Sequence, residues 1–264
     1  MNSLRVFQES AKEIRKLVLL KTFPVAVKLL EKDEDIPEGV KRPVRDLGHH
    51  LALCQGFSMS RREGASIAML KEDMWCFPPV IGFGLAEPPS YYLEGHTFFP
   101  FMNQSLEAAK HRANAFPRLK TGKYIGILSA PLEATQFEPD WVMIYCDSAQ
   151  LRLLLLAKVW KDGLGVKTVL TAGAACVWAL VPAILSSDYQ VAVPCLGDQR
   201  RAMAQDDEMI FTIPRKNLED IVSGLKQLDR QGSGFPQFVS LTPEYTLFED
   251  YVKVGKMMGM EWLK

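Results

Sequence analysis

The chain has no excess of charge of either sign, because 31 basic and 31 acidic residues cancel among its 264. A nucleic-acid-binding protein normally shows a basic surplus, so that class of partner is not expected. There is no Cys-x-x-Cys pair and no His-Glu-x-x-His, which argues against a closed structural zinc site. There is no Gly-x-x-x-x-Gly-Lys-Ser/Thr loop to cradle a phosphate and no Gly-x-Ser-x-Gly elbow to present a nucleophile. Gly82-Phe83-Gly84 opens like a dinucleotide fingerprint, but Glu87 stands where the third glycine belongs and Pro88 follows at once. Ser223-Gly224-Leu225-Lys226 matches Ser-x-x-Lys only inside an amphipathic helical pattern, where chance explains it. The first 21 residues are charged throughout and lack the apolar centre of a signal peptide, so a cytoplasmic location is expected. Thr168 to Leu185 carries no charge but is interrupted by Gly173 and Pro182. It reads as a buried strand (Val166 to Leu170), a glycine turn and a short core helix, and no membrane span is expected.

What is present is an ordinary globular composition, 48% apolar and 23% charged, enough to build a sizeable core. Leu4, Phe7, Ala11, Ile14, Leu17 and Val18 recur at helical spacing. Apolar runs predict strands at Val25 to Leu30, Ala65 to Leu70, Tyr124 to Leu128, Trp141 to Cys146, Tyr189 to Val193 and Met209 to Ile213. Helices are predicted at His50 to Arg62, stopped by Gly64, at Ser105 to Ala115, at Ala149 to Trp160 behind Asp147 and Ser148 as caps, and at Asn217 to Leu228. Phe77 to Pro89 reads as irregular, with one helical turn. Strands alternating with helices point to an α/β or α+β sandwich on one mixed sheet, a single domain over residues 1–240. Residues 241–264 read as an appended helical arm, aromatic and rich in methionine.

Five cysteines is an odd number, and structural disulfides are rare in a reducing compartment. Metal binding, catalysis and core packing therefore stay open for these thiols. Cys54 follows His49 and His50 and precedes Arg61. On a continuous helix His50, Cys54 and Arg61 would share a face, placing an imidazole and a thiol where one metal ion could take both. The competing reading is a core cysteine. Cys76 sits between Trp75 and Phe77-Pro78-Pro79, where rigid apolar cover would tune a metal site or simply hold a buried turn. Cys195 lies just past a predicted strand and before Gly197, with Arg200 and Arg201 able to meet an anion. Cys146 and Cys176, inside apolar runs, read as core. Phe137-Glu138-Pro139-Asp140, leading through a strand to Asp147 and Gln150, reads either as a helix start that holds an anion or as a well-capped helix.

These residues, in this order, carry a resemblance. Cys54 with Arg61 and Gly64, Cys76 with Gly82 and Gly84, Ala130-Pro131-Leu132, Phe137 to Asp140 with Ala149-Gln150, Cys195 with Gly197 and Arg200, and Asp207-Glu208-Met209 with Ile213-Pro214 resemble the prokaryotic family called domain of unknown function 169. The likeness covers roughly residues 5–230. Phe77-Pro78-Pro79 replaces a Pro-Gly-Gly-like run, and Asp147-Ser148 an Asn-Pro pair. The resemblance implies a cytoplasmic protein, and it carries over Cys54, Cys76 and Cys195 as the family-typical cysteines.

The leading expectation is a metal or iron–sulfur protein in which Cys54, Cys76 and Cys195 converge on one site able to take part in redox chemistry. Three thiolates leave one coordination position open for His50, a carboxylate or a substrate. The alternative is a small anionic ligand held by Arg61, Arg200 and the helix start at Gln150, without redox chemistry. Thiol catalysis with a histidine base and a scaffold role for the tail are further readings, and a homo-oligomer is plausible for the tail's apolar face (Tyr245, Phe248, Tyr251, Val252 and Met258).

Overall fold

A computed structural model describes residues 3–32, 35–235, 242, 243, 245 and 247–262. Its six strands are β1 (Val25–Leu30), β2 (Ile67–Leu70), β3 (Gly126–Pro131), β4 (Trp141–Cys146), β5 (Gln190–Ala192) and β6 (Met209–Pro214). They form one sheet in the order β2-β3-β1-β4-β6-β5. The helices are α1 (Ser3–Val18), α2 (Leu53–Ser58), α3 (Phe77–Gly82), α4 (Ser90–Leu93), α5 (Leu106–Ala115), α6 (Ser148–Asp162), α7 (Ala175–Ser186), α8 (Leu196–Ala202), α9 (Leu218–Arg230) and α10 (Glu249–Met257).

The sheet is covered on both faces. Val25, Val27 and Leu29 of β1 and Trp141, Met143 and Tyr145 of β4 face one cluster, with residues of α2, α3, α5 and α7. Ala26 and Leu30 of β1 and Val142, Ile144 and Cys146 of β4 face the other, with α1, α6 and α9. Alternate side chains thus enter opposite cores, and a strand buried on both sides reads as an unbroken apolar run. That is why β4, and β1 with only Lys28 interrupting its run, are recognisable in the sequence residue for residue. α6 and α9 pack closely because Gly224 carries no side chain, and a Cβ there would collide with the Ala157 carbonyl.

Every pairing between these strands is antiparallel, so the fold is α+β. Parallel contact is confined to two isolated bridges, Lys41 with Ile67 and Leu51 with Met74, where the sequence suggested a mixed sheet. Other details also differ. Val166 to Leu170 forms no strand and is largely exposed, Val169 at 63% and Leu170 at 53%. The segment is tied down by side chains instead: Thr168 Oγ1 donates to the Val191 carbonyl at 2.7 Å, and Gln190 Nε2 donates to Thr168 Oγ1 at 2.7 Å. The buried helix expected after it is α7. No helix among the described residues is long and apolar enough to cross a membrane. The helix expected from His50 begins only at Leu53, because Ala52 is extended. It continues through a wider π-helical turn, Met59–Glu63, and stops at Gly64 in the left-handed conformation that glycine adopts freely. The expected boundary at residues 240/241 and the tail's Leu263 lie outside the described residues, and the tail helix is α10 alone.

Candidate functional site: a thiol-lined cavity

Four helices begin beside one cavity, and each brings a cysteine. Cys54 is the second residue of α2 and Cys176 the second of α7. Cys76 and Cys195 are the capping residues immediately before α3 and α8. All four line a cavity of about 730 Å³ on the α2–α7 side of the sheet. Cys54 and Cys176 are buried, and Cys76 and Cys195 half-buried. The local reasons are legible: Pro78 and Pro79 open α3 where no backbone N–H is needed, and Gly173 with Ala174 turn the chain into α7. The fifth cysteine, Cys146, points into the opposite core.

The family model described as uncharacterised ArCR, domain of unknown function 169, matches residues 13–224. The chain belongs to this family. The matched span includes all four cavity cysteines. A Methanocaldococcus jannaschii relative, uncharacterized protein MJ0308, is 25% identical over 222 residues, covering 83% of this chain and 93% of that protein. No solved structure matches.

In this DUF169 protein the buried thiols are held neutral. Burial pushes Cys54 far above the ordinary thiol value, and Asp198, Cys195 and Cys76 add to the effect. Burial, then Cys195, pushes Cys76 up to about 11, with Arg201 opposing. Burial likewise raises Cys176. None of the four histidines lines the cavity, and His49 and His50 are exposed. A neutral thiol without a base is a poor nucleophile. Among the described residues, no group of three or more His, Cys, Asp or Glu side chains already stands as a ready metal cage.

Behind the cavity runs a buried polar chain. Asp198, 1% exposed, lies on α8 just after Cys195. Tyr145 from β4 donates its hydroxyl to Asp198 Oδ2 at 2.9 Å, whereas Asp198 Oδ1 is buried without a partner. Burial pushes the Asp198 carboxyl up to about 6, the Tyr145 hydrogen bond and Arg61 opposing it. Arg61 lies over the Tyr145 ring at 3.9 Å. It donates to both carboxylate oxygens of Glu208, at 2.8 and 3.1 Å, and to the Met203 carbonyl at 3.2 Å.

The three arginine and glutamine positions expected to hold an anion do not gather here. Three N–H groups of Arg61 go to Glu208 and Met203, and its charge is paired with Glu208. Arg200 is exposed and off the cavity wall, where its neighbour Arg201 stands instead, 5.0 Å over the Trp75 ring. Gln150 is a capping residue: its Oε1 accepts from Asp147 N–H at 2.9 Å and its Nε2 donates to the Leu19 carbonyl at 2.8 Å. Asp147 itself accepts the Gln150 N–H at 2.9 Å, so the start of α6 is capped from within. Reading the sequence did not bring Tyr145 and Asp198 to this place, nor Cys176, read as core, to the cavity lining. Only Asp198 leaves a signal, as an acidic residue in the first turn of the helix that follows Cys195.

Two outcomes test this network. Arg61→Ala leaves Glu208 buried and unpaired, which should cost about 3–5 kcal/mol in urea denaturation. A loss below about 1 kcal/mol would mean that the pair does not hold this region. Asp198 has a folded value above its ordinary 3.8, so its contribution to stability falls as pH rises from about 4 through about 6. Asp198→Asn should match the parent near pH 4 and exceed it by about 3 kcal/mol above pH 7. Identical pH profiles for the two proteins would contradict the burial argument.

Proposed function

We propose that this DUF169 protein holds a soft metal centre, a single ion or an iron–sulfur cluster, through Cys54, Cys76 and Cys195, redox-active where the metal is iron or copper. The observation that carries the reading is that four of the five cysteines, from four separate helix starts, share one cavity wall. Cysteines used only as small core residues have no reason to cluster in this way. The donor set fits the group: thiolates select iron–sulfur clusters, zinc and copper(I) over hard cations. Loading requires the sulfurs to draw together and give up their protons. A fourth position is left for Cys176 or for a ligand in the cavity, as in metal sites that keep a position open for chemistry. When bound, such a centre supplies electron transfer or a Lewis acid. The chain's own residues supply apolar cover from Trp75, Phe77 and Trp178, which sets dielectric and access. The free state of all five thiols among the described residues agrees with work in a reducing cytoplasm. Self-association through the exposed Phe248, Tyr251, Met257 and Met258 of the tail is part of the same proposal.

Anaerobic purification and reconstitution, with metal analysis and a visible spectrum, tests the centre. About one centre per chain is expected, lost in Cys54→Ser, Cys76→Ser and Cys195→Ser and kept in Cys146→Ser. Because Cys54 and Cys76 must each shed a proton, affinity should rise about tenfold per pH unit for each of them between pH 6 and 8. A colourless, metal-free protein after reconstitution with iron and sulfide or with zinc would sink the proposal.

A further inference from the structure

The cavity is much larger than a metal centre needs. Its volume of about 730 Å³ is that of a small-molecule site. Away from the sulfurs its wall is aromatic: Phe98, Phe116 and Trp178 line it, with the Phe116 and Trp178 rings edge to face at 6.3 Å. Into this apolar space come two guanidinium groups. Arg112, half-buried on α5, lies 4.8 Å over the Phe98 ring, and Arg201 lies on the rim over Trp75. Neither has a hydrogen-bond or ion-pair partner among the described residues. The buried arginine elsewhere in the molecule does: Arg61 is paired with Glu208.

Two further observations indicate that the place of Arg112 is built. Gly173, which also lines the cavity, leaves the space that its guanidinium fills, and a Cβ there would stand 2.6 Å from Nη2. Asn103, another lining residue, buries its Oδ1 without a partner among the described residues. A cation stacked on a ring but lacking a counter-ion, in an apolar cavity that also holds an orphan acceptor, is an unfinished polar set. What completes it is a molecule with a flat apolar body, an acid group and a hydrogen-bond donor.

We propose that the cavity binds an aromatic carboxylic acid, its ring packed among Phe98, Phe116 and Trp178 and its carboxylate taken by Arg112. Arg201 adds attraction from the rim. Asn103 accepts a hydroxyl or amine where the ligand has one. The proposal shares a cavity with the metal reading but does not rest on a metal being bound.

Isothermal titration of the metal-free full chain tests it with naphthalene-2-carboxylate and its neutral relative naphthalene-2-methanol. The acid should bind at least about tenfold more tightly than the alcohol, as a charge-assisted hydrogen bond requires. Arg112→Met should abolish that preference, so that acid and alcohol bind alike to a chain still folded by circular dichroism, and Arg112→Lys should keep part of it. Cys54→Ser, which removes a proposed metal ligand, should leave acid binding intact, so the two readings fail separately. Equal affinity for acid and alcohol, a preference that survives Arg112→Met, or no binding of either compound would overturn the assignment.

Discussion

A guanidinium with 1% of its side chain exposed must be matched group for group, and the position of the cavity follows from how Arg61 is matched. Desolvating such a pair costs several kcal/mol per ion and is offset only when the geometry is good and the remaining lone pairs are used. Here both Glu208 oxygens accept from Arg61, and one also accepts the Gln205 N–H at 2.8 Å. Arg61 and Arg62 further donate to the Met203 carbonyl, just where α8 ends in a left-handed residue. The turn that follows α2 is thereby fastened to the end of α8. Fastening these two elements sets Cys54 of α2 against the α8 start that carries Cys195 and Asp198.

The two faces of the sheet have different duties. On one, α1, α6 and α9 close over apolar strand residues, and the start of α6 is sealed by its own capping box. On the other, helices that begin at the cavity rim leave space between them, and polar groups at its edge keep unused capacity: Asp198 Oδ1 and Asn103 Oδ1. Native interiors rarely leave such atoms unpaired without reason. Buried thiols raised by desolvation, an acid pushed up to about 6 and arginines over aromatic rings are the observations on which the proposed binding roles rest.

Much of this was legible in the sequence, for definite reasons. β1 and β4 were readable because burial on two faces leaves almost nothing polar in them, Lys28 of β1 excepted, and the cap of α6 because Asp147 and Gln150 hold the spacing of a capping box. Gly64 marked the end of the α2 helix. Strand direction was not readable, since two-sided burial more often accompanies parallel strands, and these pair antiparallel. Val166 to Leu170 has a strand's composition but lies exposed, held by Thr168. Arg61 looked like a ligand-binding arginine because its partner, Glu208, is remote in the chain. Cys176 is a core residue, as its apolar neighbours suggested, and it also reaches the cavity lining because it opens α7.

Whether the proposed site joins Cys54, Cys76 and Cys195 is decided by thiol footprinting. The full chain is alkylated anaerobically with and without zinc or a reconstituted cluster, and each cysteine is followed by peptide mass spectrometry. The account predicts that Cys54, Cys76 and Cys195 become protected together, with one concentration dependence, while Cys146 is slow and unchanged in both states. Protection of one of the three without the others, or of none, would contradict it.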